Sequence, residues 1–187
     1  MISVRFLPYR PDMPTERSFA VTPLGGIALE GRDDGAIVSL TLCARPGNDD
    51  TPRFEPLIRD IATALSDRLT TLELAVAPDV AGLHLDVLRA IASVPRLSFA
   101  SYSEIARRAG RPRAVRFVAS CVGKNPVPLL VPCHRVVPLS CGRNIHDAIR
   151  RPLLLGNFTP DRRLKADILR LEGYFDAKNS ALINFLS

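Results

Sequence analysis

Between Asn125 and Val137 the chain reads Asn-Pro-Val-Pro-Leu-Leu-Val-Pro-Cys-His-Arg-Val-Val, and few folds can accept such a stretch. Pro126 and Pro128 set turns and cannot continue a helix. Leu129-Leu130-Val131 is an apolar run that has to be buried against a core. Behind Pro132 comes a cysteine followed directly by an imidazole and a guanidinium. A thiol attacks only as thiolate, and cationic or proton-accepting neighbours lower its pKa. The order therefore predicts a nucleophile at the floor of a pocket. The plainer reading of the same residues is a buried structural cysteine beside a surface His-Arg pair.

The 187 residues are enough for one large domain or two small ones with real cores. A net charge of +6 suits a polyanionic partner but does not demand one. Its placement says more: acids are common before Asp86, whereas Arg89 to Arg116 holds Arg96, Arg107, Arg108, Arg111 and Arg113 against the single acid Glu104. The four cysteines, Cys43, Cys121, Cys133 and Cys141, form no CxxC pair and only three histidines accompany them, so no structural metal site is expected. No signal peptide and no membrane-length apolar run stands in the sequence. A reduced cytoplasmic setting is expected, nucleoid-associated in a prokaryote, as a reactive thiol requires.

Along the chain, residues 2–7 read as a strand followed by a proline-punctuated loop to about 20. Residues 21–30 and 35–43 read as adjacent strands joined by Gly31-Arg-Asp-Asp-Gly35, which has hairpin chemistry. Phe54 to Leu69 has helical apolar spacing, and 72–76 is another strand candidate. A linker is expected at 78–82. Beyond it, 83–92 reads as a helix ended by Pro95. Ser101-Tyr-Ser-Glu104 is a capping box, with each end satisfying the other's amide. It starts a helix from Tyr102 to Ala109 that stops at Gly110. Pro112 opens the next, from Arg113 to about Gly123. Ala114, Val115, Val118, Cys121 and Val122 share one side of that helix, with Arg113, Arg116 and Ser120 on the other. Two short helices about a Gly-containing turn make a helix-turn-helix outline with a basic outer face.

Tyr102-Ser-Glu-Ile-Ala-Arg-Arg-Ala-Gly110, the Arg116 helix, Asn125-Pro126, Pro132-Cys-His-Arg-Val136 and Leu171-Glu-Gly173 stand in the order found in the O6-alkylguanine-DNA alkyltransferases, or methylated-DNA–protein-cysteine methyltransferases. The chain resembles that family over most of residues 83–138 and again near 164–175. Thr22-Pro-Leu-Gly25 and the hairpin after it resemble the family's amino-terminal domain less specifically. The resemblance implies an α/β protein: a small RNase H-like α/β domain at 1–78, then a mostly helical, winged helix-turn-helix-like domain at 82–187 for DNA binding and alkyl acceptance. It implies a single-turnover DNA repair enzyme that moves an alkyl group, typically methyl, from guanine O6 irreversibly to Cys133.

By the same resemblance His134 is the base that takes the thiol proton through water, and Glu172 is the acid that orients it, completing a relay like that of hydrolases. Asn125 ties the helix-turn-helix to the active-site segment. Tyr102 assists guanine departure and presses on the neighbouring phosphate, and Arg116 fills the gap left by the flipped base. Arg113, Ser120, Lys124 and Arg135 join Arg116 and Tyr102 in the DNA-binding set, with Arg135 expected to be structural, and Lys165 lies near the site. Arg107, Arg108 and Arg111 would add phosphate contacts. The partner is duplex DNA carrying O6-alkylguanine, with no metal, no cofactor and a monomeric protein. The alkyl group lies inside a stacked duplex, so the base must be extruded and its gap filled.

After Cys133 the family has a short glycine-rich loop with a Gly-Tyr pair closing over the base. Counting forward puts that tyrosine at His146, with no Gly-Tyr pair, in a 139–163 stretch roughly a dozen residues longer than usual. Cys141 is expected to be a bystander, with oxidation against Cys133 as the alternative. Two other functions compete: a lesion-binding protein that transfers nothing, like the alkyltransferase-like relatives that lack the cysteine, and a thiol hydrolase using Cys133, His134 and Glu172. The hydrolase would need an oxyanion hole, which no sequence feature supplies.

Overall fold

The computed structural model describes residues 1–67, 69–143, 155–156, 158–174 and 184–186. It is a mixed α/β chain with a sheet in its amino-terminal half and helices beyond. Two compact units divide it: Met1–Val80 with Pro126–Leu130, and Ala81–Asn125 with Val131–Ser187.

In the first unit, β1 (Ile2–Phe6), β2 (Thr15–Thr22), β3 (Gly25–Arg32), β4 (Ile37–Leu42) and β5 (Leu72–Val76) form one sheet in the order β1-β5-β4-β3-β2. β2, β3 and β4 are an antiparallel meander, and β5 lies parallel to both β4 and β1. The strand expected at 21–30 is present from Gly25 on as β3, but a hairpin turn at residues 23–24 interrupts its start, and β2 begins inside the expected loop. The reason is local. Thr22 Oγ1 donates to Gly25 O (3.0 Å) and accepts from Leu24 N (3.1 Å), and Gly25 takes φ +90°, which closes a tight turn where a strand would run straight.

Helix α1 (Glu55–Ser66) buries Ile58, Ile61, Ala64 and Leu65, the stripe its spacing predicts. The tip of the Phe54 ring fills the space over Gly31, where a β-carbon would come within 2.6 Å of Phe54 Cζ. Pro126–Leu130 returns to this unit, a step nothing in the sequence signals. Leu40 N donates to Pro126 O (2.8 Å), and Val127, Leu129 and Leu130 are buried.

The second unit begins with α2 (Gly82–Ala92), whose Val87, Leu88 and Ile91 are buried. A short strand, β6 (Ser98–Ser101), runs into α3 (Tyr102–Arg108). Ser101 Oγ accepts from Glu104 N (3.0 Å), so half of the expected capping box forms. The other half is replaced: the buried Glu104 carboxylate accepts from Arg107 Nε (2.9 Å) and Arg108 Nε (2.7 Å). Two guanidiniums are stronger partners for a carboxylate than one amide.

After Gly110 the chain makes a turn, Ala114 N donating to Arg111 O (2.9 Å), and α4 (Val115–Gly123) starts two residues later than expected, leaving Arg113 ahead of it. Val118, Cys121 and Val122 of α4 are buried. A 3₁₀ turn, Cys133–Arg135, leads into β7 (Val136–Val137), and helix α5 (Arg162–Leu171) follows later. β7 and β8 (Asn184–Leu186) both pair parallel with β6, so the expected packed tail includes a third strand. No helix among the described residues is long and apolar enough to cross a membrane.

Candidate active site

Cys133 opens the 3₁₀ turn behind Pro132. Cys133 N donates to Val131 O (2.8 Å) and Arg135 N to Pro132 O (2.9 Å), a tight bend with the thiol nearly closed off at 4% exposure. β7 follows at once, and its pairing with β6 sets Val137 beside Ser101, the residue before Tyr102. One pair of short strands therefore joins the cysteine turn to the start of α3. Asn125, one residue past the α4 cap, closes the other side. Its Nδ2 donates to Val131 O (2.7 Å) and its side chain also bonds the Cys133 thiol. Burial pushes the thiol pKa up, and Asn125 together with the Lys165 cation pulls it back.

The next two residues, His134 and Arg135, join Glu172 in a largely buried polar group. His134 and Glu172 are 0% and 1% exposed. Arg135 grips Glu172 with two bonds, Nε to Oε2 (3.1 Å) and Nη2 to Oε1 (2.5 Å), and donates a third, from Nη1, to Val94 O (2.7 Å). Its guanidinium is thus committed inward. His134 Nε2 is 3.1 Å from Glu172 Oε2, ion-pair distance but off the line of a good N–H···O bond, and Nδ1 is buried without a protein partner. Burial raises the Glu172 carboxyl, but the His134 ring and Arg135 guanidinium outweigh it and hold the pKa far below the usual carboxylate range. Burial pushes His134 down and Glu172 only partly offsets this, so the ring is neutral at pH 7. A neutral ring with its N–H toward a carboxylate presents an open Nδ1 as a base.

Glu172 is held in place by the chain around it. Arg96 Nε donates to its carbonyl (3.0 Å), and Tyr174 Oη donates to Ser98 O (2.8 Å) while its ring packs 4.7 Å from Phe99. Lys165 on α5 is fully buried, its Nζ donating to Val136 O and Leu155 O, both 2.7 Å. Burial draws its pKa down to about 8, and the Cys133 and Cys141 thiols nearby oppose that. Tyr102 is half-buried. Burial raises its phenol, and the same two thiols push it further up.

The forward count to His146 lies outside the described residues. Leu155 and Gly156 stand beside the site instead. Leu155 is buried with Phe99, Val137, Cys141, Ala166, Leu169 and Tyr174. A β-carbon on Gly156 would meet Pro138 Cδ at 3.0 Å and Tyr102 Oη at 3.4 Å, and its φ is +82°. Counting back from Lys165 would have found this glycine; counting forward from Cys133 runs into the long segment first. Gly156→Ala is expected to destabilise the fold by about 1–2 kcal/mol, the cost of a left-handed non-glycine residue, and to move Tyr102, readable as a lower urea midpoint and a shifted tyrosine absorbance.

On the outer side, Arg111, Arg113, Arg116, Ser120 and Lys124 are exposed. Arg107 is exposed yet tied to Glu104, and Arg108 is drawn inward, donating also to Ser93 Oγ (2.9 Å). Cys141 is a buried core residue and all four cysteines are free. Among the described residues no cluster of three metal-ligating side chains occurs.

Residues 83–174 match the family model described as 6-O-methylguanine DNA methyltransferase, DNA binding domain. The methylated-DNA–protein-cysteine methyltransferase of Methanothermobacter thermautotrophicus is 32% identical over 158 residues, covering 81% of each chain. The bifunctional transcriptional activator/DNA repair enzyme Ada of Escherichia coli is 32% identical over 112 residues, 58% of this chain, which spans 32% of the length of that relative. Among solved structures, Mycobacterium tuberculosis OGT in complex with DNA superposes with a TM-score of 0.69 at 23% identity, covering 84% of this chain and 92% of its own. The chain belongs to the methylated-DNA–protein-cysteine methyltransferase family.

Proposed function

We propose that this chain repairs DNA by taking the alkyl group, methyl first among them, from guanine O6 onto Cys133, once per molecule. Residues 82–187 bind the duplex and accept the group. The observation that carries the reading is the buried His134, with Nε2 toward Glu172 and Nδ1 open, one residue from a buried cysteine.

A water between the thiol and Nδ1 satisfies that nitrogen and carries the proton away. The Cys133 sulfur attacks the alkyl carbon, an S–C bond forms and the C–O6 bond breaks. The electron pair goes to the guanine, and Tyr102 supplies a proton on its N3 side. The thioether has no good leaving group, so the protein is consumed. Arg135 keeps Glu172 ionised, Asn125 fixes the thiol, and the Leu155–Gly156 segment walls the base pocket beside Tyr102. Arg116, Arg113, Ser120 and Lys124 meet the DNA, with Arg116 entering the gap in the stack. The protein works as a monomer in a reducing, DNA-containing cytoplasm.

With excess duplex carrying labelled O6-methylguanine, one methyl per protein molecule is expected and then no further consumption. Continued release of free product supports a hydrolase instead, and binding without methyl loss supports a lesion binder. Arg116→Ala is expected to slow duplex repair on the order of 100-fold, the scale of a misplaced reacting group, and to affect free O6-benzylguanine far less. Equal losses on both substrates refute the finger role.

A further inference from the structure

The outer surface of α4 carries two long side chains, and the reading above uses one. Its exposed positions are Arg116, Phe117, Ala119, Ser120 and Gly123. Three of these are small, so Arg116 and Phe117 stand out from a low, smooth helix face. Phe117 is 45% exposed. It lies at the margin of the buried side of α4, about 40° around the axis from the buried Cys121 and about 100° from Val118 on one side and Arg116 on the other.

A single exposed phenylalanine is ordinary on a protein surface. Its surroundings are not. No acidic residue occurs between Glu104 and Asp147. Arg111 and Arg113 lie ahead of the helix and Lys124 closes it, all exposed. A partner protein with an apolar pocket would have to bring matching acids. A nucleic acid brings the phosphates and, between them, flat apolar base faces. Phenylalanine can slip between base steps and partly unstack them, which lowers the cost of extruding a neighbouring base.

Resting on the proposed reaction, we infer that Phe117 is a second DNA-inserting side chain, an apolar wedge against the base step next to the one Arg116 fills. Arg116 occupies the emptied place, and Phe117 loosens the stack beside it. Phe117 carries no charge, so it acts on extrusion without adding to phosphate neutralisation. The two contributions separate by salt: Arg116 adds about one to the salt slope of binding, and Phe117 adds none.

The test compares full-length wild type with Phe117→Ala, Phe117→Trp and Phe117→Ser on a duplex with 2-aminopurine beside O6-methylguanine. Phe117→Ala and Phe117→Ser are expected to cut the ratio of duplex to free O6-benzylguanine reaction about tenfold, the size of one base–aromatic contact. They are expected to lower the 2-aminopurine rise on binding and to keep the wild-type salt slope. Phe117→Trp is expected to restore both readouts. An unchanged ratio and an unchanged 2-aminopurine rise in Phe117→Ala overturn the proposal. So does an equal loss on duplex and free base, which marks Phe117 as a packing residue. If the wild type takes up no methyl at all, the proposed reaction fails, and the 2-aminopurine signal still decides the wedge.

Discussion

Cys133→Ala protein is expected to bind lesion-bearing duplex as wild type does and to gain no mass from it, the full loss of alkyl transfer. The side chain removed is small, 4% exposed and bonded by the Asn125 amide and by nearby backbone, so little packing is lost. A large drop in stability is therefore not expected, and urea unfolding checks this. The exposed cations at Arg111, Arg113, Arg116 and Lys124 are untouched, so affinity and its salt dependence should hold. Residual transfer in this variant would point to Cys141 or Cys121, both buried, as an acceptor and would contradict the role given to Cys133.

Glu172→Ala is expected to be the most damaging change to the fold. It strips a buried carboxylate from Arg135 and from His134 at once. Breaking a buried ion pair by removing one partner costs about 3–5 kcal/mol, because the other charge stays buried. Transfer should also fall by about 10²–10⁴, the contribution of a positioned base, since nothing then sets the imidazole tautomer. Glu172→Gln keeps the volume and separates the two effects: transfer falls while much of the packing survives.

The same group makes stability depend on pH. Glu172 has a folded pKa below its ordinary 4.5, so its contribution is present above pH 4.5 and is lost as pH falls from there. His134 is depressed below 6.5, so the unfolded chain takes up a proton the folded one refuses, and stability declines as pH falls below 6.5. Denaturant midpoints should therefore drop in two stages on acidification. In Glu172→Gln the lower stage should vanish. A midpoint flat from pH 7 to 4 in the wild type would contradict the burial of His134, and one flat from there to pH 2 the pairing of Glu172.

Local rules made some of this visible before any coordinates. The α1 stripe, the Ser101 cap and the buried side of α4 follow from spacing alone. The Cys133-His134 neighbourhood was visible because its residues adjoin in sequence. Elements made by long-range pairing were not. β6 is four residues long and exists because β7 and β8 flank it. The return of Pro126–Leu130 to the first unit is marked by a hydrogen bond to β4 and by the burial of Val127, Leu129 and Leu130, which no period announces. Arg135 is structural, as its place in the motif implies, but nothing near it in sequence says that its partner is Glu172, 37 residues on. Gly156 was hidden for a related reason: its register is set by Lys165 and Tyr102 and not by its distance from Cys133.

The most direct test of the central claim is peptide mass mapping after reaction with duplex DNA carrying isotope-labelled O6-methylguanine. The account predicts that the label appears as one methyl on Cys133 and nowhere else, with unmodified guanine left in the DNA. Label on any other residue, or a protein that binds the lesion and leaves both itself and the DNA unaltered, would contradict it.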